Sequence, residues 1–433
     1  MKGVMDWFSN TLAPGMQKLF GNPWVSAVAS AMQKILPFIL VGSVVSIYNV
    51  FVRYIPGLPD LSFVNTFSFG MMSVIVAFMV SYFGMVELDH PKYQVTAGLT
   101  SLTVFLMALC PTVATLSRNA DTGNTEFVVS NINYLGGSGL FVAIIVALIV
   151  MLAFHLYAGL HVLEGSDSVP DFVIEWVNNI IPMTLIYLVF GTLVFVLNFD
   201  IVGVINIVFE PINALGQSLP GFLIINFLYV LLYSVGISAW SLNAIVKPIL
   251  MAGIAANAEM VLAGGAPVNI VTTETIFTTA LIAMGGLGAT LPLNFLMFRC
   301  KSKKLRTMAK ICIGPSIFNI NEPLVYGAPI VFNPLLMIPM WANSIVGPLV
   351  VWFVMRGGFL NIPAGINNIS RIPAPICTWL TTDDYRAFIW FFVLFILYAA
   401  IWYPFLKKYD KQVVAEESAR QAASQAAGSP EFA

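Results

Sequence analysis

Charge is scarce in this chain. Only 9% of its 433 residues are Asp, Glu, Lys or Arg, while 58% are hydrophobic. A soluble domain carries about 25% charged residues. No soluble fold of this length covers its surface with so few charges, so part of its solvent is lipid. The net charge of -1 supplies no basic surface for nucleic acid. Cysteine is equally sparse: Cys110, Cys300, Cys312 and Cys377 are scattered and form no C-x-x-C pair. That argues against structural zinc and against a disulfide framework. The three histidines are His90, His155 and His161. His155 and His161 close an apolar run just before Glu164, Asp167 and Asp171, which makes a metal site conceivable. Their spacing of six does not share a helical face, so ordinary hydrogen-bonded histidines are the preferred reading. There is no G-x-x-x-x-G-K-[ST] loop and no hydrolase-type constellation, so neither direct ATP use nor a bound cofactor or metal is expected. A compact apolar h-region is also lacking. Met1 to Asn22 mixes Lys2, Asp6 and Lys18 with Trp7, Phe8, Leu12 and Phe20, and reads as an amphipathic lead-in helix rather than a signal peptide.

Long apolar runs are what the chain has instead. A spanning helix needs about 20 apolar residues. Candidates are Ile35–Val52, Gly70–Gly84, Val95–Leu116, Gly139–Leu160, Ile180–Leu197, Gly221–Ile237, Ile249–Ala263, Ile276–Phe298, Pro334–Val354 and Ala387–Tyr403, with Ile201–Ile212 as a shorter piece. The expected fold is an all-α integral membrane protein with about ten transmembrane helices. Ser117–Asn133, Asn/Thr-rich with one basic residue, reads as an external loop. Arg299–Lys310 holds six basic residues in twelve, and Lys407, Lys408 and Lys411 follow the last span. The positive-inside rule makes both regions cytoplasmic; setting topology would by itself account for these charges. The tail from Asp410 is polar and reads as a helix frayed in water. Gly428–Ala433 resembles a cloning remnant and is set aside.

Two apolar regions do not read as simple spans. One runs through Gly264-Gly-Ala-Pro-Val-Asn269; the other is Gly314–Pro334, with Pro315, Asn319, Asn321, Pro323, Gly327, Pro329 and Asn333. Breakers at this density stop a continuous helix. Broken backbone at membrane depth is tolerated only inside protein or beside a water-filled cavity. A re-entrant hairpin is therefore expected in Gly314–Pro334, a surface loop being the alternative. Glu322 within it is the sole acid between Glu274 and Asp383. An ionisable group in such a stretch faces a cavity or a partner. With Asn321 beside it, it suits sugar hydroxyls, which both donate and accept, and it is a candidate base. Its alternative role is to fix its own hairpin. Ser238, Trp240, Ser241 and Asn243 form a second polar cluster at a span end, and Trp379 offers another flat apolar face. Both tryptophans also suit an interfacial belt.

The stretch Pro315-Ser-Ile-Phe-Asn-Ile-Asn-Glu-Pro-Leu-Val-Tyr-Gly-Ala-Pro-Ile-Val-Phe-Asn-Pro334 resembles the signature of phosphotransferase-system IIC proteins of the lactose/cellobiose/diacetylchitobiose group. Gly285-Gly-Leu-Gly-Ala-Thr-Leu291, Ser168-Val-Pro170 with Ile181-Pro182, and Tyr403-Pro-Phe-Leu-Lys-Lys-Tyr-Asp410 are similar to further family segments. The resemblance implies a homodimer in the cell membrane. Each protomer would have about ten spans, re-entrant hairpins, and a sugar-binding domain that moves against a dimerisation domain. Residues 1–212 would be mainly scaffold, 213–405 mainly substrate-binding, and 411–433 a polar tail. It implies a sugar contact from Glu322, with Asn321 its neighbour in the motif, and phosphate delivered to the incoming sugar by a IIB protein. No IIB-like soluble domain is found here, so that partner is expected to be separate. One departure stands out: the family's Gly-Ile-His-Gly is Gly236-Ile-Ser-Ala239 here, so Ser238 replaces a histidine implied to assist phosphotransfer. Whether the chain acts as a phosphotransferase is left open by that change. The reading is a sugar-translocating IIC subunit for a β-linked disaccharide. The alternatives are a phosphorylation-independent facilitator and a sugar-binding membrane sensor.

Overall fold

The computed structural model describes residues 22–35, 57–160, 170–236, 242–328, 330–365 and 372–427, with isolated positions between 37 and 52. Its helices are α1 (Pro23–Lys34), α2 (Met72–Glu87), α3 (Gln94–Ala108), α4 (Leu140–Ala158), α5 (Asp171–Gly191), α6 (Ile201–Gly216), α7 (Leu219–Ser234) and α8 (Asn243–Leu262). They continue as α9 (Leu291–Met297), α10 (Lys303–Ile317), α11 (Glu322–Gly327), α12 (Pro334–Arg356), α13 (Ala374–Thr382) and α14 (Ala387–Ala427). Among the described residues, five helical segments are long and apolar enough to cross a membrane: Gly137–Ala158, Val173–Val196, Ile245–Leu262, Pro334–Arg356 and Ala387–Ala419. Helices α6 and α7 meet that test only when taken together. The expected lead-in helix over Met1–Asn22 and most of the expected span Ile35–Val52 lie outside the described residues.

The described chain divides into two compact units. The first comprises Met16–Gly216 and Trp240–Pro267. In it α1, α2, α3 and α4 pack together, with α8 against α1. Close approach depends on small residues. A Cβ on Gly84 would fall 2.2 Å from Met151 Sδ, and one on Gly98 would fall 2.7 Å from the Phe78 ring. Buried hydroxyls find carbonyls: Ser81 donates to Ala147 O at 2.8 Å, and Ser73 to Gly136 O. Ser138 pairs with the Glu259 carboxylate. The expected external loop Ser117–Asn133 is built largely as a β-hairpin, so the fold is not purely helical. Strands β1 (Ala114–Arg118) and β2 (Thr125–Val129) pair antiparallel, with Thr115 opposite Val128. Asn119 closes the turn by accepting from the Asp121 N–H, and Gly123 takes the left-handed backbone that the turn requires.

The second unit comprises Gln217–Ala239 and Val268–Ala433. Here α12 packs on α7 and α14, and α9 packs on α10 and α14. The expected span Ile276–Phe298 is not a helix. It is a π-turn at Glu274–Thr278, an irregular run, and the short α9. The cause is backbone: Ala280, Gly285, Gly286, Gly288 and Ala289 all have positive φ, which a right-handed helix excludes. Orphaned carbonyls of this run are met by aromatics of α14. Tyr398 OH donates to Leu281 O, and Trp402 Nε1 donates to Ala289 O, each at 2.9 Å. Gly347 makes room for Tyr398, whose hydroxyl would lie 2.0 Å from a Cβ there. The expected tail, a helix frayed in water, is a helix continuous with α14 to Ala427, mostly exposed after Asp410 but anchored at Asp410 and Glu417. Asp410 accepts from the N–H groups of Lys301 and Ser302 at 2.8 and 2.9 Å. Glu417 accepts from Lys304 N–H at 2.9 Å and from Ser302 Oγ at 2.7 Å. Asp410 thus satisfies the two amides just before α10 and Glu417 the first amides of α10, where the helix dipole favours negative charge.

Candidate substrate site

The segment Gly314–Pro334 breaks where its sequence is richest in breakers. Helix α10 ends at Ile317, Asn319 takes a left-handed φ of 58°, and α11 restarts at Glu322. Asparagine tolerates that conformation because its short amide hydrogen-bonds locally. Asn319 Oδ1 accepts from Gly285 N–H at 3.0 Å. Two residues on, Asn321 is buried, 4% exposed. Its Oδ1 accepts from Tyr233 OH at 3.1 Å, and its Nδ2 donates to Leu287 O at 2.9 Å. Gly286 has φ +109°, and a Cβ there would fall 2.3 Å from Asn321 Cγ. Two carboxamides therefore clasp the glycine run 285–288, which only glycine lets approach so closely.

Glu322 opens α11 from this support and is exposed. Tyr326 follows one turn later, 55% exposed. The Tyr326 ring meets Tyr233 edge to face, with centroids 6.2 Å apart. Tyr233 is buried in the last turn of α7 and lies within electrostatic reach of the Glu322 carboxylate. The far end of the break is tied to the same turn: Phe332 N–H donates to Ser234 O at 3.1 Å, and Trp341 Nε1 to Ser234 Oγ at 2.9 Å. A fixed carboxylate flanked by aromatic rings can orient a neutral polyol, since the carboxylate accepts from hydroxyls and a ring covers a C–H face.

Trp379 lies on α13, 36% exposed and stacked on Phe388 at 6.3 Å. Asn243 is buried at the start of α8, within the first unit. Ser238 and Trp240 lie outside the described residues. His161 does too, whereas His155 shares a 3.1 Å hydrogen bond with His90. Among the described residues no three His, Cys, Asp or Glu side chains converge as a metal site. Sequence reasoning missed Tyr233 and Tyr326, whose only signal was aromatic residues within reach of a polar break. It also passed over Glu274, 2% exposed beside the buried Thr272 and Thr275, and Lys247, 8% exposed in α8. The signal for both was an ionisable residue inside or beside an apolar run. A cavity of about 470 Å³ between α9, α13 and α14 is lined by residues such as Phe295, Pro373 and Phe391, all apolar, and has nothing to read hydroxyls with. Outside the spans, burial raises the affinity of Asp384 for protons. Hydrogen bonds from Arg386 and from the Asn361 N–H outweigh it and hold the carboxyl below its ordinary value. Arg386 Nη2 is 2.8 Å from Asp384 Oδ2.

Residues 29–344 match the family profile described as "Phosphotransferase system, EIIC". The chain is 30% identical over 381 residues to the PTS system cellobiose-specific EIIC component of Geobacillus stearothermophilus, covering 83% of this chain and 82% of that one. It is 30% identical over 370 residues to the lichenan permease IIC component of Bacillus subtilis, covering 81% and 79%. Its fold is similar to the crystal structure of the transporter ChbC, the IIC component of the N,N'-diacetylchitobiose-specific phosphotransferase system. The TM-score is 0.83 at 26% identity, over 95% of this chain and 99% of that one.

Proposed function

The chain belongs to the phosphotransferase system EIIC family, and from that premise we propose that it carries a β-linked disaccharide across the cytoplasmic membrane for phosphorylation by a separate IIB protein. The relatives named for cellobiose, lichenan and diacetylchitobiose support the sugar class. The observation that carries the reading is Glu322: an exposed carboxylate set in an apolar, broken segment whose neighbouring amides are all anchored. Such a charge needs water or a polar ligand in front of it.

In this reading the protomer has about ten spans and pairs as a homodimer. The unit containing α7 and α9–α14 carries the sugar. Gly314–Pro334 supplies a re-entrant tip, and the basic run Arg299–Lys310 lies on the cytoplasmic side, within reach of IIB. Glu322 contacts the sugar, with Ser238 and Trp379 as further contacts, while Asn321 fixes the carboxylate's place.

Calorimetric titration of the protein in lipid nanodiscs with cellobiose, lactose and N,N'-diacetylchitobiose tests the reading. At least one sugar should bind, and Glu322→Gln should weaken it about tenfold or more, as expected when a charge-assisted hydrogen bond is lost. The melting temperature should be unchanged. Equal binding by Glu322→Gln would remove the carboxylate from the site.

A further inference from the structure

We infer that Tyr326 is the stacking residue of this site: its ring lies against the C–H face of a pyranose while Glu322 takes the hydroxyls. The inference rests on the sugar-carrying function proposed above. Residues four apart on a helix share a face. Glu322 and Tyr326 are so placed on α11, and both are exposed. An ionised side chain is not left facing hydrocarbon, so the face they share borders water or a polar ligand.

The ring is also held in place. Tyr233 meets it at 6.2 Å with the planes 80° apart. An edge-to-face contact occupies no more than one ring face, and Tyr326 remains 55% exposed. Tyr233 is itself 7% exposed and anchored through its hydroxyl to Asn321. A ring presented on a buried, hydrogen-bonded support gives up little freedom when a ligand arrives. The ligand class follows from the pair. A pyranose shows C–H bonds on its faces and hydroxyls on its rim, matching an aromatic face and a carboxylate one turn apart. Gluco-configured rings, with every hydroxyl equatorial, present the flattest C–H face. The axial hydroxyl of a galactose unit interrupts it.

The test uses the full chain in nanodiscs, titrated with cellobiose, lactose and N,N'-diacetylchitobiose, with melting temperature recorded for each variant. Tyr326→Leu should weaken the best-bound sugar about 3- to 10-fold, the scale of a lost aromatic contact. Tyr326→Gln should do the same, which guards against a packing defect peculiar to leucine. Tyr326→Phe keeps the ring and should lose less than either. Leu and Phe variants that lose affinity equally would overturn the inference. So would a Leu variant that binds like wild type while Glu322→Gln does not, and in that case the sugar-carrying reading stands. A wild-type protein indifferent to all three sugars would overturn both.

Discussion

Asn321 donates one amide N–H to Leu287 O and accepts from Tyr233 OH, which holds the residue directly before Glu322 in place. Removing one partner from a buried pair leaves the other unsatisfied, at a cost of about 1–3 kcal/mol. Tyr233→Phe should therefore lower the melting temperature and weaken sugar binding together. In an Asn321→Ala background the same change should have little further effect, because residues in one network are not additive. Additive losses measured in that double-mutant cycle would mean that Tyr233 acts on the sugar without Asn321. Glu322 was legible in the sequence as an isolated acid in an apolar stretch, and the break around it was legible from its Pro, Gly and Asn content. The partners of Asn321 were not. Tyr233 and Leu287 lie 88 and 34 positions away, and nothing local marks them.

Elements followed hydropathy where the backbone was regular and departed from it where backbone geometry took over. Helices α4 and α12 lie close to their apolar runs because nothing between Leu140 and Ala158, or between Pro334 and Arg356, forces a positive φ. Ile276–Phe298 is just as apolar, yet Gly285, Gly286 and Gly288 break it, a signal that hydropathy alone does not weigh. The tail is the exposed polar helix expected, but two of its contacts were not legible. Its polarity suits water, but Asp410 and Glu417 are caps for a helix more than 100 positions earlier in the chain. Glu417 meets the first amides of α10 and Asp410 the two just before it, and α10 leads directly to Asn319 and Asn321. Glu417→Ala should therefore raise hydrogen exchange at Lys303 and Lys304 and lower the melting temperature, with Glu417→Gln intermediate. Exchange unchanged at those amides would show that Ser302 and Asp410 hold the start of α10 without Glu417.

At the scale of the whole molecule, the scarcity of charge was enough to place the chain in a membrane, and the signature around Glu322 placed it in a transporter family. What the resemblance also marks is Ser238, where the family is expected to carry histidine. Imidazole can take a hydroxyl proton near neutral pH and a serine hydroxyl cannot. General-base assistance is worth roughly a hundred- to ten-thousand-fold in rate. If the sugar hydroxyl must lose its proton as phosphate arrives, the wild-type chain should bind sugar well and phosphorylate it slowly. Ser238→His should then raise IIB-dependent phosphorylation at least about tenfold while leaving affinity nearly as it was, because base catalysis acts on the transition state and not on the bound sugar. Proteoliposomes loaded with phosphorylated IIB of a cellobiose system and supplied with labelled cellobiose measure both quantities: accumulated sugar phosphate gives the rate, and competition by unlabelled sugar gives the affinity. An unchanged rate would mean that the proton leaves by another route. Glu322 is the carboxylate at hand for that, and Glu322→Asp would then slow phosphorylation far more than it weakens binding.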